Sequence, residues 1–206
     1  MKGAEATSER GKARFTTHGK RGRPREIDKQ NVARIALELF EEKGVDGVTM
    51  NEIARASSIS RRTLFRLFPG KADLVWDGVW ELIEKLNVWV EHLEPNSIRV
   101  NEIKGMVVLP VLARLRDSEQ EELARRRLQL LSRSPALFSH PCINEMEKLL
   151  SEVIQKCKDT PSVPHQLLAT SLVSVSLSAM LWWATTDESI SAEEAVCLAL
   201  DGVSEL

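Results

Sequence analysis

The sequence predicts an all-α chain of about nine helices, with an N-terminal three-helix head ahead of a longer helical body. Three observations carry this. Apolar residues recur at helical spacing along most of the chain, with very few strand signals. Thr49 and Ser60 open two short helices across a tight turn. Pro95, Pro135, Pro161 and Pro164 fall between the longer apolar stretches, where a missing backbone donor does least harm. At 206 residues, 43% hydrophobic and 28% charged, the chain can bury one or two cores.

The first helix follows from Val32, Ile35, Ala36, Leu39 and Phe40, a stripe at i, i+3, i+4, i+7 and i+8 that Asp28 can start and Gly44 can stop. Thr49 with Glu52 three residues on is a capping box, and Ile53 and Ala54 give that helix a buried side before Ser57 and Ser58 interrupt it. Ser60 caps the next. There Arg62 and Arg66 share a face, Thr63 and Phe65 flank it, Arg61 adds charge, and Leu64 and Phe68 lie opposite. A recognition helix needs this division, because its apolar side anchors on the head while its cationic side enters a major groove. Arginine suits the task, since its fork bonds a guanine edge or a phosphate. The alternative is a merely solvated basic face.

Six helical stretches follow, at about 71–92, 97–116, 118–132, 135–157, 162–184 and 191–204. Trp76 and Trp80 are four apart, Trp89 lies about two turns beyond, and with Met106, Val107, Leu109 and Leu112 they could line a cavity for an apolar ligand or simply fill a core. Arg125, Arg126 and Arg127 span about 200° of helix, so they cannot all point one way, and Glu119, Glu121 and Glu122 are in reach as surface partners. From Leu167 to Trp183 apolar residues alternate with small ones. Ser171, Ser174, Val175, Ser178 and Trp182, with Val196 and Leu200 of the last helix, are the candidate contact with a second copy; an intrachain core is the alternative.

Charge is polarised. Residues 1–25 hold eight Lys or Arg against two Asp or Glu, a balance of +6, whereas residues 26–70 balance at seven each and residues 71–206 carry 13 against 21. The arm is predicted to be disordered and to supply the attractive field. Within it KRGRPR, Lys20 to Arg25, looks like an AT-hook core, so Arg21, Arg23 and Arg25 either follow an A·T-rich minor groove or contact phosphates only. The N-terminus has no apolar leader, no run of eighteen apolar residues is present, and a cytoplasmic protein without membrane contact is expected. Three cysteines and four histidines lack metal-ligand spacing, and no Gly-rich phosphate loop, GxSxG or HExxH occurs; no cofactor, metal or catalytic site is expected.

Over ALELFEEKGVDGVTMNEIARASSISRRTLFRLFPGKADL, Ala36 to Leu74, the chain resembles the TetR family of bacterial transcriptional regulators. The resemblance implies a helix-turn-helix from the second and third helices, with Thr49 and Lys71 holding phosphates and Arg62, Thr63, Phe65 and Arg66 facing DNA. Phe65 stands where the family usually has Tyr, Ser58 where it has Gly, and Gly70 where it has Ser. ELARRRLQLLSRSPALFSH, Glu122 to His140, is similar to a subgroup with an acyl-CoA-like ligand-binding domain, which implies a tunnel walled by Leu128, Leu131 and Phe138 with Arg127 at its mouth. The implied domains are a basic arm over 1–25, a DNA-binding head over 26–70 and an effector and dimerisation domain over 71–206. The implied partners are a palindromic double-stranded operator, a second copy of the chain and a small hydrophobic, acyl-CoA-like effector that releases a repressor. A DNA-binding regulator or architectural protein without an effector is the alternative.

Overall fold

The structure, a computed structural model, describes residues 27–105, 112, 117–159, 162–186 and 189–204. Nine α-helices lie among them, together with two 3-10 turns. The arm with Arg21, Arg23 and Arg25, and the candidate cavity residues Met106, Val107 and Leu109, fall outside the described residues.

Helix α1 (Lys29–Lys43) starts where the Asp28 carboxylate accepts from the Asn31 amide, and it stops at Gly44, whose φ of 75° only glycine adopts without strain. Its stripe buries Val32, Ala36, Leu37 and Phe40. In α2 (Met50–Ala56) the predicted capping box is formed: Thr49 Oγ1 accepts from the Glu52 amide at 3.2 Å, and Glu52 accepts from the Thr49 amide at 2.7 Å. Those bonds hold the Glu52 carboxyl below the usual carboxylate range. Helix α3 (Arg61–Leu67) is capped by Ser60, whose Oγ accepts from the Thr63 amide.

Between α2 and α3 the chain turns through Ser58 at φ 55°, the left-handed region expected there. A non-glycine residue pays about 1 to 2 kcal/mol for it. Ser58→Gly removes that cost but gives the unfolded chain more freedom, worth about 0.5 to 1 kcal/mol. A net gain of about 0.5 to 1 kcal/mol in urea-melt stability is expected, and a loss would mean that the serine hydroxyl is holding the turn.

The body departs from expectation at its first helix. Residues 71–92 do not run straight through: α4 (Lys71–Val75) ends in a turn, and α5 (Val79–Glu91) restarts after Gly78, whose φ is 84°. The segment at 97–116 begins as a 3-10 turn, Val100–Glu102, and is helical to Gly105. Helix α6 (Ser118–Arg133) is capped by Asp117. A second 3-10 turn, Pro135–Ser139, precedes α7 (Pro141–Gln155), so the expected helix over 135–157 begins only after His140. Helices α8 (His165–Thr185) and α9 (Ala192–Ser204) complete the body.

One apolar core runs from Phe40, Ile53 and Leu64 in the head through Leu74 and Trp76 to Leu131 and Trp183. Head and body therefore share an interior, and a displacement of α4 is felt by both. A second cluster joins Val90, Ile98 and Ile103 to Val153 and Ile154 of α7. Among the described residues α8 is long and apolar enough to cross a membrane by length and composition, yet it packs against α6, α7 and α9. Its remaining apolar surface is what a packing partner would have to cover.

Candidate functional site

The α3 surface divides as its sequence requires. Leu64 and Phe68 are buried against the head, while Arg61, Arg62, Phe65 and Arg66 are exposed and Thr63 is half-buried. The Arg61 guanidinium lies 5.3 Å from the centre of the Phe65 ring, a cation–π contact that directs both side chains along the helix surface. Arg62 and Arg66 make no ion pair or hydrogen bond among the described residues, so their forks are available to a ligand. Two other residues with implied phosphate roles are already engaged. The Thr49 hydroxyl donates to the Glu52 carboxylate at 2.8 Å, and Lys71 Nζ donates to the Val45 carbonyl at 2.8 Å. Ser60 Oγ is shared with Thr63 Oγ1 at 2.8 Å.

The α4 region is fastened to the body by long-range contacts that sequence spacing does not reveal. Trp76 Nε1 donates to the Leu137 carbonyl at 2.9 Å. His140, 6% exposed, lies 6.0 Å from both Trp76 and Trp80 and meets Asp73 Oδ1 through Nε2 at 3.3 Å. Its Nδ1 accepts from the Cys142 amide, which places the ring proton on Nε2 for Asp73. Asp73 in turn accepts from the Gly70 amide at 2.7 Å, so one carboxylate caps α4 and ties it to α7. The three arginines of α6 part company. Arg125 closes carbonyls at the end of α8, Arg126 forms a bidentate pair with Glu41 of α1 at 2.7 and 2.6 Å, and Arg127 faces the interior.

That interior is a cavity of about 480 Å³, within the range of small-molecule sites. Of the sequence candidates Trp76, Trp89, Leu112, Arg127, Leu128 and Leu131 line it. Trp80 and Phe138 do not: the turn at Gly78 sets Trp80 on the surface beside His140, at 39% exposure, and Phe138 sits half-buried in a 3-10 turn rather than on a helix wall. Most of the remaining lining is apolar. Polar groups gather near the head, from the start of α1 (Lys29, Gln30), the α4–α5 junction (Asp77), α5 (Glu81) and α6 (Gln120, Arg127). Burial raises the Asp77 pKa above the ordinary carboxylate value and Glu81 adds to this, against the pull of Arg127 and Lys29; burial likewise lowers that of Arg127. Cys142, also on the lining, is pushed up to about 12 by burial, which keeps it a protonated thiol rather than a nucleophile.

The candidate contact with a second copy needs a correction. Val196 and Leu200 are buried within the chain, packed with Leu112 and Ala179, because the apolar side of α9 faces α8. Ser171, Ser174, Ser178 and Trp182 are exposed along α8, Val175 is half-buried, and Leu198 is the exposed apolar residue of α9 at 65%.

Residues 34–76, from within α1 to the end of α4, match the family described as bacterial regulatory proteins, TetR family. A protein of Mycobacterium tuberculosis named for regulating mycofactocin biosynthesis, MftR, is 27% identical over 188 residues, which cover 88% of this chain and 92% of that protein. The chain belongs to the TetR family. An HTH-type transcriptional regulator of Staphylococcus aureus USA300 is 33% identical over 67 residues, 32% of this chain and 35% of that protein, so the agreement there is confined to part of the chain. In fold, this TetR family chain is similar to Thermus thermophilus FadR, a TetR family transcriptional repressor crystallised in complex with lauroyl-CoA, with TM-score 0.56 and 20% identity over 86% of this chain and 94% of that one. A TetR family member is a DNA-binding transcriptional regulator and not an enzyme, and α2 and α3 both lie within the matched segment.

Proposed function

We propose that the chain is a cytoplasmic, ligand-responsive repressor that binds a palindromic operator as a homodimer and is released by a small hydrophobic effector of acyl-CoA-like chemistry. In this reading residues 1–25 are the basic arm, residues 26–70 the head and residues 71–206 the effector and dimerisation domain. Each α3 enters a major groove, presenting Arg62, Thr63, Phe65 and Arg66, while Ser60, Arg61 and Thr49 lie beside the backbone. The arm's Arg21, Arg23 and Arg25 add phosphate or minor-groove contacts.

The observation that carries the proposal is the position of the cavity. Its wall includes Trp76 and Asp77 at the end of α4, while the start of α4 holds Lys71 bonded to the head at Val45. A ligand that pushes on this wall changes where α4 stands, and with it the spacing of two heads. It can do so only through unequal affinity for the two arrangements. Exposed Leu167, Trp182 and Leu198 support pairing through α8 and α9, since each adds apolar surface that a second copy would cover.

Selection of bound duplexes from random DNA, with and without long-chain acyl thioesters, tests this. A palindromic site enriched in their absence and lost in their presence is expected. Enrichment of a site that acyl thioesters leave intact would remove the effector and leave a DNA-binding protein without one; no enriched site would remove the operator.

A further inference from the structure

The half-buried Arg127 is an incompletely satisfied cation. Its side chain is 19% exposed, and among the described residues it has two contacts, both to Asp77: Nη1 to the main-chain carbonyl at 3.2 Å and Nη2 to Oδ2 at 3.5 Å. A guanidinium has five N–H donors, and a strong carboxylate pair is bidentate at about 2.7 to 2.9 Å. Arg126, one residue earlier, shows that geometry with Glu41 at 2.7 and 2.6 Å. Arg127 is thus held by a long, one-sided pair, and its residue lines the cavity beside Leu128 and Leu131. A pair of this geometry offsets little of the desolvation cost of its two charges.

We infer that Arg127 is the receptor for an anionic head carried on an apolar chain, and that this head takes the guanidinium from Asp77. The inference rests on the effector reading above and narrows it to an ordered exchange. The apolar chain lies in the cavity, and its terminal acceptor oxygens, carboxylate or phosphate, fill the unused donors of Arg127. Asp77 then loses the contacts that hold the α4–α5 junction to α6. It adjoins Gly78, whose φ of 84° already marks the break between the two helices, and the charges of Lys29 and Glu81 act on it in opposite directions. The chain supplies affinity; the head supplies the movement. A neutral alcohol of the same chain length would fill the cavity without making this exchange.

Dodecanoate, dodecanoyl-CoA and dodecanol, compared on the full-length protein by calorimetric binding and by release of a fluorescent operator duplex, test the proposal. At least one anionic probe should bind about tenfold or more tightly than dodecanol, as a charge-assisted hydrogen bond implies, and should release the duplex. Preference for dodecanoate identifies the head as a carboxylate, and preference for dodecanoyl-CoA identifies it as a phosphate. Arg127→Gln should erase the difference between anionic and neutral probes while dodecanol binds as before. Asp77→Asn, which removes the competing charge and keeps the main-chain carbonyl, should tighten the preferred anion about tenfold and lower the concentration that releases DNA; this arm decides the matter if Arg127→Gln does not fold. Equal binding of all three probes, or an anion preference unchanged in both variants, overturns the exchange and leaves the effector reading standing. If none of the probes binds, the acyl-chain effector falls and the exchange with it.

Discussion

Arg66→Ala is expected to weaken specific DNA binding by about 1 to 3 kcal/mol for each recognition helix, and so by about 2 to 6 kcal/mol for a dimer on a two-fold site. The case for Arg66 over Arg61 and Thr63 is geometric. Arg61 stacks on Phe65, and Thr63 completes the Ser60 cap, whereas Arg66 is exposed with no intramolecular partner among the described residues. Its loss should leave the head folded, because the opposite side of α3, Leu64 and Phe68, carries the packing. Titration of the selected site and a scrambled duplex at several salt concentrations separates two roles. If affinity falls for the site alone, Arg66 reads a base; if it falls equally for both and the salt slope drops by about one, Arg66 holds a phosphate. Unchanged affinity for both would take Arg66 off the reading face.

The head was legible because the devices that build it are local. Thr49 with Glu52, Ser60 with Thr63 and Asp28 with Asn31 act across three residues, so their spacing in the chain is their spacing in space. Even the strained turn at Ser58 could be anticipated, since the position demands a left-handed residue whichever side chain occupies it. The body was legible as helices but not as a site. An amphipathic pattern says that Val196 and Leu200 are covered, not by what, and the cover is α8 and Leu112 of the same chain. Helical spacing placed Trp76 and Trp80 together on one wall, but the break at Gly78 leaves Trp76 on the cavity and Trp80 outside it. The partners that give the site its chemistry are distant in sequence: Asp77 from Arg127 by 50 residues, Asp73 from His140 by 67. No local pattern marks such pairs. His140 in particular caps α7 with a ring nitrogen rather than with the Ser, Thr, Asp or Asn that usually announces a helix start.

Trp183→Ala is expected to cost about 3 to 5 kcal/mol of stability, the range for deleting a large buried aromatic side chain. Trp183 is 1% exposed and belongs to the core that joins head to body. Its Nε1 donates to the Ile190 carbonyl at 3.0 Å, which fastens the approach to α9. The Arg125 guanidinium lies 4.1 Å from its ring centre and donates to the Trp183 carbonyl at 2.9 Å, closing the open end of α8. Alanine therefore opens a cavity, strands a carbonyl and removes the surface on which Arg125 rests. Trp183→Phe separates these effects: it keeps most of the packing and loses the indole donor, so about 1 to 3 kcal/mol is expected. Urea titration at several protein concentrations measures both. The same substitution bears on pairing, because Trp182, the adjacent residue, is exposed on α8 where a second copy would sit. If the dimer forms there, Trp183→Ala should lose concentration-dependent stability along with intrinsic stability, since loosening the end of α8 disorders the pairing surface. A large intrinsic loss with the concentration dependence intact would move the dimer contact away from the end of α8, toward Leu167 and Ser171 at its start.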